Sequence, residues 1–169
     1  TMGDMLIKGG SVVDGTGAPA FAGDVRVKNG KIAEIGKNLT AQAGERVIDA
    51  AGCIVAPGFI ESHTHFDATM WWAPDMDPLP GYGVTTSVMG NCGFSAAPLS
   101  SDPKVREAVQ NEVIGIFSFF EDIPSGPFKE KLAWDWTKWS EYKKSMQTHV
   151  KTATNTAAFV GHIPLRLAV

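Results

Sequence analysis

The chain has 169 residues, a formal net charge of −3 and 44% hydrophobic residues, an ordinary globular composition with enough apolar material for a core. The mildly acidic balance has no basic patch, which excludes the electrostatic footprint of a nucleic-acid binder. No run approaches the roughly 18 apolar residues of a membrane span. The opening TMGDMLIKGG lacks the basic and long apolar segments of a signal peptide, so a cytoplasmic protein is expected. Thr1 ahead of Met2 reads as a cloning remnant.

Residues 4–56 read as short strands and turns, a small β-rich module. In MLIKGGSVVDG two apolar runs flank Gly9-Gly10, which reads as a turn. Val25 and Val27 alternate with polar residues before Asn29-Gly30, and Ile32, Ala33 and Ile35 follow. Asn-Gly between alternating runs predicts a hairpin, because both central residues of a type I′ turn need positive φ. RVIDAAG adds another strand. Cys53, in the apolar AAGCIVAP, is expected in the core.

The character changes after Pro57-Gly58. GVTTSVMG (83–90) is a β-branched run suited to a buried parallel strand. Residues 101–117 predict a helix with Asp102 as cap, Pro103 in the first turn, and Val105, Val109 and Val113 along one side. Residues 135–146 predict a second helix capped by Asp135, its apolar side carrying Trp136, Trp139, either Tyr142 or the Lys143 stem, and Met146. Residues 153–161 offer a third strand. Strands alternating with helices indicate βα units and a parallel sheet. Four of the nine phenylalanines and three of the five tryptophans lie between Phe117 and Trp139, and core packing is the expected use of them.

GFIESHTHFD (58–67) carries the first candidate chemistry. His63 and His65 follow an apolar run, and residues two apart on a strand share a face. Two neutral imidazoles side by side suit a divalent transition metal, zinc first. The same pair also serves as ordinary polar residues at a strand end. Asp67 is placed to accept a hydrogen bond from a ligand histidine, and Glu61 either does the same or is solvated. In the second constellation, GVTTSVMGNCGFSAAP, a strand ends in Gly90-Asn91-Cys92-Gly93. Cys92 there is either a thiolate ligand or a small buried hydrophobe.

VAPGFIESHTHFD resembles the first-strand signature of the metal-dependent amidohydrolase superfamily, and GVTTSVMGNCGFSAAP more narrowly resembles the N-acyl-D-amino-acid deacylases, or D-aminoacylases. WDWTKWSEY and NTAAFVGHIPLR are similar to further stretches of that family, so the likeness covers nearly the whole chain. The resemblance implies a zinc-dependent hydrolase of the amide bond in N-acyl-D-amino acids. Its fold would be α/β, an N-terminal β-sandwich segment (1–56) followed by the first part (57–169) of a (β/α)8 TIM-type barrel. It implies one or two zinc ions, with His63, His65 and Cys92 as metal ligands. Asn91 and His162 would lie near the pocket with Asp67, while His149 is expected on the surface.

A complete barrel takes on the order of 250 residues, so about three of eight βα units are expected here. The family's other histidines and its general-base aspartate are expected outside this chain, which then holds no catalytic acid or base. A second chain carrying the rest of the barrel is one expectation, a processed portion of a longer enzyme another. Two other functional readings remain open at this stage. One is a cyclic-amide hydrolase of the hydantoinase or dihydroorotase kind, the other a non-catalytic subunit of a split amidohydrolase.

Overall fold

Asn29 and Gly30 both take positive φ, 51° and 73°, and join the antiparallel strands β2 (Phe21–Lys28) and β3 (Lys31–Gly36) in the computed structural model, which describes residues 3–169. The predicted hairpin is therefore present, with the backbone conformation its dipeptide favours. The chain divides into two compact units, one ending at Pro57 and the other spanning Gly58–Val169.

The first unit is a five-stranded mixed sheet. β1 (Met5–Val12) runs antiparallel to β2, while β4 (Arg46–Asp49) and β5 (Ile54–Val55) pair in succession with its other edge, both parallel. Gly9-Gly10 is not the turn that its sequence suggests. β1 continues through it with a register shift between Ile7 and Gly10, and Gly9, at φ 75°, donates its N–H to Asp24 Oδ1 at 2.7 Å. A bulge held by a buried carboxylate replaces the reversal. Leu6, Val12, Val25 and Ala50 form the buried apolar positions. The buried Arg26 guanidinium is satisfied by Glu34, by Glu45 at 2.8 Å and by the Thr40 carbonyl at 2.6 Å.

Cys53 is exposed, against expectation. It closes a turn between β4 and β5, donating its N–H to the Ala50 carbonyl at 2.9 Å after Gly52 at φ 76°. Its own carbonyl accepts from Ser11 N, so the backbone is engaged and the thiol points outward.

The second unit carries a three-stranded parallel sheet in the order β6 (Phe59–Thr64), β7 (Val84–Met89), β8 (Asn155–Ala158). The apolar run 54–60 is thus split at Pro57-Gly58 between two sheets. Helices α1 (Phe66–Thr69), α2 (Pro103–Phe120), α3 (Ser125–Lys131), α4 (Trp139–His149) and α5 (His162–Ala168) complete it. No helix of the described residues is long and apolar enough to cross a membrane.

α2 starts as predicted, with Asp102 Oδ1 accepting from Lys104 N at 2.8 Å. Its buried face is Val109, Val113, Ile114 and Phe117, whereas Val105 stays 41% exposed in the first turn. α4 begins later than expected, and Asp135 does not cap it. Glu141 accepts from the backbone N–H groups of Thr137 (2.8 Å) and Lys138 (3.0 Å) instead, and these bonds hold its carboxyl below the usual range. The cause is Trp136, which leaves the helix for the core. Its indole donates to the Ala96 carbonyl at 2.9 Å and packs against Trp71, Trp134 and Tyr142. The aromatic cluster is therefore core, except for Phe119 and Phe120, which are exposed.

Candidate metal centre

His63 is the last residue but one of β6, and His65 follows directly after the strand. Between them Thr64 points inward, its hydroxyl 2.8 Å from Ser87 Oγ on β7 and 3.1 Å from the Val88 carbonyl. That buried polar anchor turns the flanking residues toward the other side, as strand alternation requires. The two imidazole centroids are 5.4 Å apart.

β7 delivers Cys92 to the same place. Gly90 takes φ 80° at the strand end and accepts from Gly93 N at 3.0 Å, so Asn91 and Cys92 form the tip of a tight turn. A side chain on Gly90 would press on the Phe159 backbone carbonyl, which leaves glycine as the residue that fits. Asn91 Nδ2 donates to the Ser62 carbonyl at 3.1 Å and ties the turn to β6. Cys92 Sγ then lies 3.6 Å from His65 Nε2, and one donor atom from each of His63, His65 and Cys92 falls within 4.8 Å of the others. Two strands adjacent in a parallel sheet thus bring together residues 27 positions apart.

The surroundings of His65 favour the neutral form that metal ligation needs. Partial burial between Phe94 and Phe117 lowers its pKa first, and the neighbouring His63 lowers it further, against the opposing pull of Glu121. Glu121, at the C-terminal end of α2, places Oε1 3.4 Å from His65 Nε2. Sequence reasoning missed Glu121, because only the packing of α2 brings it near β6.

The other candidates divide. Asp67 is buried in α1 and makes no hydrogen bond to either histidine; both carboxylate oxygens and His65 Nδ1 lack partners among the described residues. Burial pushes the Asp67 carboxyl up to about 8. The predicted Asp67–histidine bond is thus not formed. Glu61 Oε1 accepts from the His63 backbone N–H at 3.2 Å. His162 opens α5 beside Gly93 and is exposed. His149 is exposed, as expected, 3.6 Å from Asp135 Oδ2.

The donor set fits zinc. Zinc–nitrogen and zinc–sulfur bonds of about 2.0–2.1 Å and 2.3 Å at a tetrahedral angle put an N and an S ligand about 3.6 Å apart. The Cys92–His65 separation has that value.

A family model described as "Amidohydrolase family" matches residues 46–163. An N-acyl-D-aspartate deacylase from Alcaligenes xylosoxydans xylosoxydans is 37% identical over 167 residues, 98% of this chain and 30% of that protein. Among solved structures, D-aminoacylase superimposes with a TM-score of 0.72 at 37% identity, over 98% of this chain and 31% of that one. An N-acyl-D-glutamate deacylase from Bordetella bronchiseptica, complexed with zinc and a phosphonate mimic of the reaction's tetrahedral intermediate, gives 0.73 at 35% identity over 99% and 31%. The chain spans about 30% of the length of the curated relatives it matches.

Proposed function

The chain belongs to the amidohydrolase family, and from that premise we propose that it supplies metal ligands to a zinc-dependent enzyme that hydrolyses the amide bond of N-acyl-D-amino acids. The observation that carries this reading is the convergence of His63, His65 and Cys92 at the C-terminal ends of neighbouring parallel strands. In α/β barrels that face holds the chemistry. We assign residues 58–169 to the first part of such a barrel and the mixed sheet before it to a β-sandwich. The remaining βα units and the proton-transferring aspartate are assigned to protein outside residues 1–169.

His63, His65 and Cys92 would hold the zinc, which when bound supplies Lewis-acid activation of water and of the scissile carbonyl. The chain's own part is preorganisation. Thr64 and Ser87 lock the strand ends, Asn91 fixes the cysteine turn, and the Phe94–Phe117 contact favours the neutral form of His65 and orients it. Overall, water adds to the amide carbonyl, the C–N bond breaks, and the water's proton reaches the departing amine, giving a carboxylate and a free D-amino acid.

The support from relatives is specific in kind. The proteins that match across nearly all of this chain are named for N-acyl-D-aspartate and N-acyl-D-glutamate deacylation and for D-aminoacylase activity. Assay of the protein that carries this chain, chelator-stripped and then resupplied with zinc, tests the proposal. Deacylation of N-acetyl-D-amino acids, lost on stripping and regained with zinc, is expected. Turnover that survives stripping, or ring opening of cyclic amides without deacylation, contradicts it.

A further inference from the structure

Resting on the deacylase reading above, we propose that Phe94 and Phe120 form the subsite for the acyl arm of the substrate and select an extended apolar acyl group. An amide seated with its carbonyl at the donor cluster sends two arms away from it, the acyl group on one side and the amino acid on the other. A surface that touches the cluster meets one of them. The Phe94 ring lies 5.9 Å from His65 and 5.7 Å from Phe120, and Phe119 stands edge-on to Phe120 at 5.0 Å. The aromatic surface therefore runs without a break from a candidate metal ligand to the end of α2.

The helix shows how this surface arises. Phe117 and Phe120 are three residues apart and share a side of α2. Phe117 is buried against His65 at 5.8 Å and Phe94 at 6.2 Å, whereas Phe120, one turn further on, is 63% exposed and Phe119 82%. A stripe that starts as core packing thus continues past the core and ends one ring removed from His65. Phe94 is fixed relative to Cys92 by the backbone on its N-terminal side. Gly93 donates to the Gly90 carbonyl at 3.0 Å and accepts from Ile163 N at 3.1 Å. Rigid aromatic faces placed in this way suit an apolar group that must lie beside a polar reacting centre.

Charge assigns the arm. Glu121 directly follows Phe120, and its Oε1 is 3.4 Å from His65 Nε2. The charged groups acting on His65 are this carboxylate and the neighbouring His63. An anion at that edge repels the amino-acid arm, whose α-carboxylate is ionised at neutral pH. That arm carries a second anion in the N-acyl-D-aspartate and N-acyl-D-glutamate for which relatives are named. The acyl arm is the neutral one, so it is the arm that an aromatic face and a bordering carboxylate accept together.

The test uses the zinc-loaded protein that carries this chain and two series of N-acyl-D-amino acids. One series fixes the amino acid and lengthens the acyl group from acetyl through butyryl and hexanoyl to octanoyl. The other keeps acetyl and lengthens an unbranched side chain. In wild type, kcat/KM is expected to rise about two- to fourfold per methylene along the acyl series, as each leaves water for the aromatic surface, and Phe120→Ala should flatten that dependence. N-succinyl substrates should be poor beside N-butyryl ones and gain on them in Glu121→Gln. If Phe120→Ala melts early, the wild type still decides, because the straight-chain carboxylate products should inhibit more strongly with each added methylene. No dependence on acyl length in wild type, or the same dependence in a folded Phe120→Ala, overturns the proposal. A Phe120-dependent preference that follows side-chain length overturns it too. An early-melting Phe120→Ala, together with a wild type indifferent to acyl length, makes this face an internal contact with the rest of the protein and likewise overturns it. Each of these results leaves the deacylase reading standing; absence of any deacylation by the zinc-loaded protein fails that reading and takes the acyl subsite with it.

Discussion

Each compact unit buries an aspartate, and the two are treated in opposite ways. Asp24, 4% exposed, accepts the Gly9 N–H at 2.7 Å and the Leu39 N–H at 2.8 Å, which hold its carboxyl below the usual range. Asp67, 1% exposed, lacks hydrogen-bond partners among the described residues and is pushed up to about 8. The buried side-chain atoms without partners, on His65, Asp67, Trp71 and Ser145, all lie in the second unit. Native folds satisfy buried polar groups, and departures concentrate where function needs them. The first unit is a charge-satisfied scaffold. The second leaves polar atoms unpartnered, one of them on His65 within the candidate donor cluster.

The contrast can be broken or sharpened by substitution. The largest effect is expected at Trp136, which is fully buried among Trp71, Trp134 and Tyr142; Trp136→Ala should cost about 3–5 kcal/mol, read as a loss of cooperative melting. Asp24→Ala should come next, since it strands two backbone N–H groups in the first unit. Because the Asp24 pKa is lowered in the fold, its contribution is present above the ordinary carboxylate range and is lost as pH falls through the folded value. The variant should therefore lose stability at neutral pH and show a flatter acid limb. A wild-type melting curve at pH 7 would remove the scaffold role.

Asp67→Asn should behave in the reverse sense. The folded state keeps a proton on Asp67 that the unfolded chain releases, so wild-type stability falls as pH rises from the ordinary carboxylate value of 3.8 toward about 8. The variant removes that slope and should gain on wild type across that window. Parallel melting-temperature curves for the two proteins would show that Asp67 is not held protonated. The smallest effect is Asn29→Ala at the hairpin, where φ 51° is tolerated by asparagine and costs alanine about 1 kcal/mol.

Legibility in the sequence followed the range of the interactions. The Asn29-Gly30 hairpin, the Asp102 cap and the parallel strand at 84–89 depend on neighbouring residues, and each was read from them. The bulge at Gly9 was not, because the carboxylate that holds it comes from Asp24 on another strand. The start of α4 was misplaced because Trp136 obeys the core rather than the helical period. Cys53 read as buried from its apolar neighbours, yet the turn between β4 and β5 presents it outward. His63, His65 and Cys92 were legible as residue types in two motifs. That they converge, and that Glu121 meets His65, depends on strand adjacency and helix packing that no local pattern encodes.

The two exposed cysteines, one in each unit, allow the most direct test of the central claim. Zinc content after dialysis should be measured for Cys92→Ala and Cys53→Ala in the protein that carries this chain. The account predicts full zinc occupancy in Cys53→Ala and its loss in Cys92→Ala. Equal retention of zinc by both variants would contradict a metal centre built on His63, His65 and Cys92.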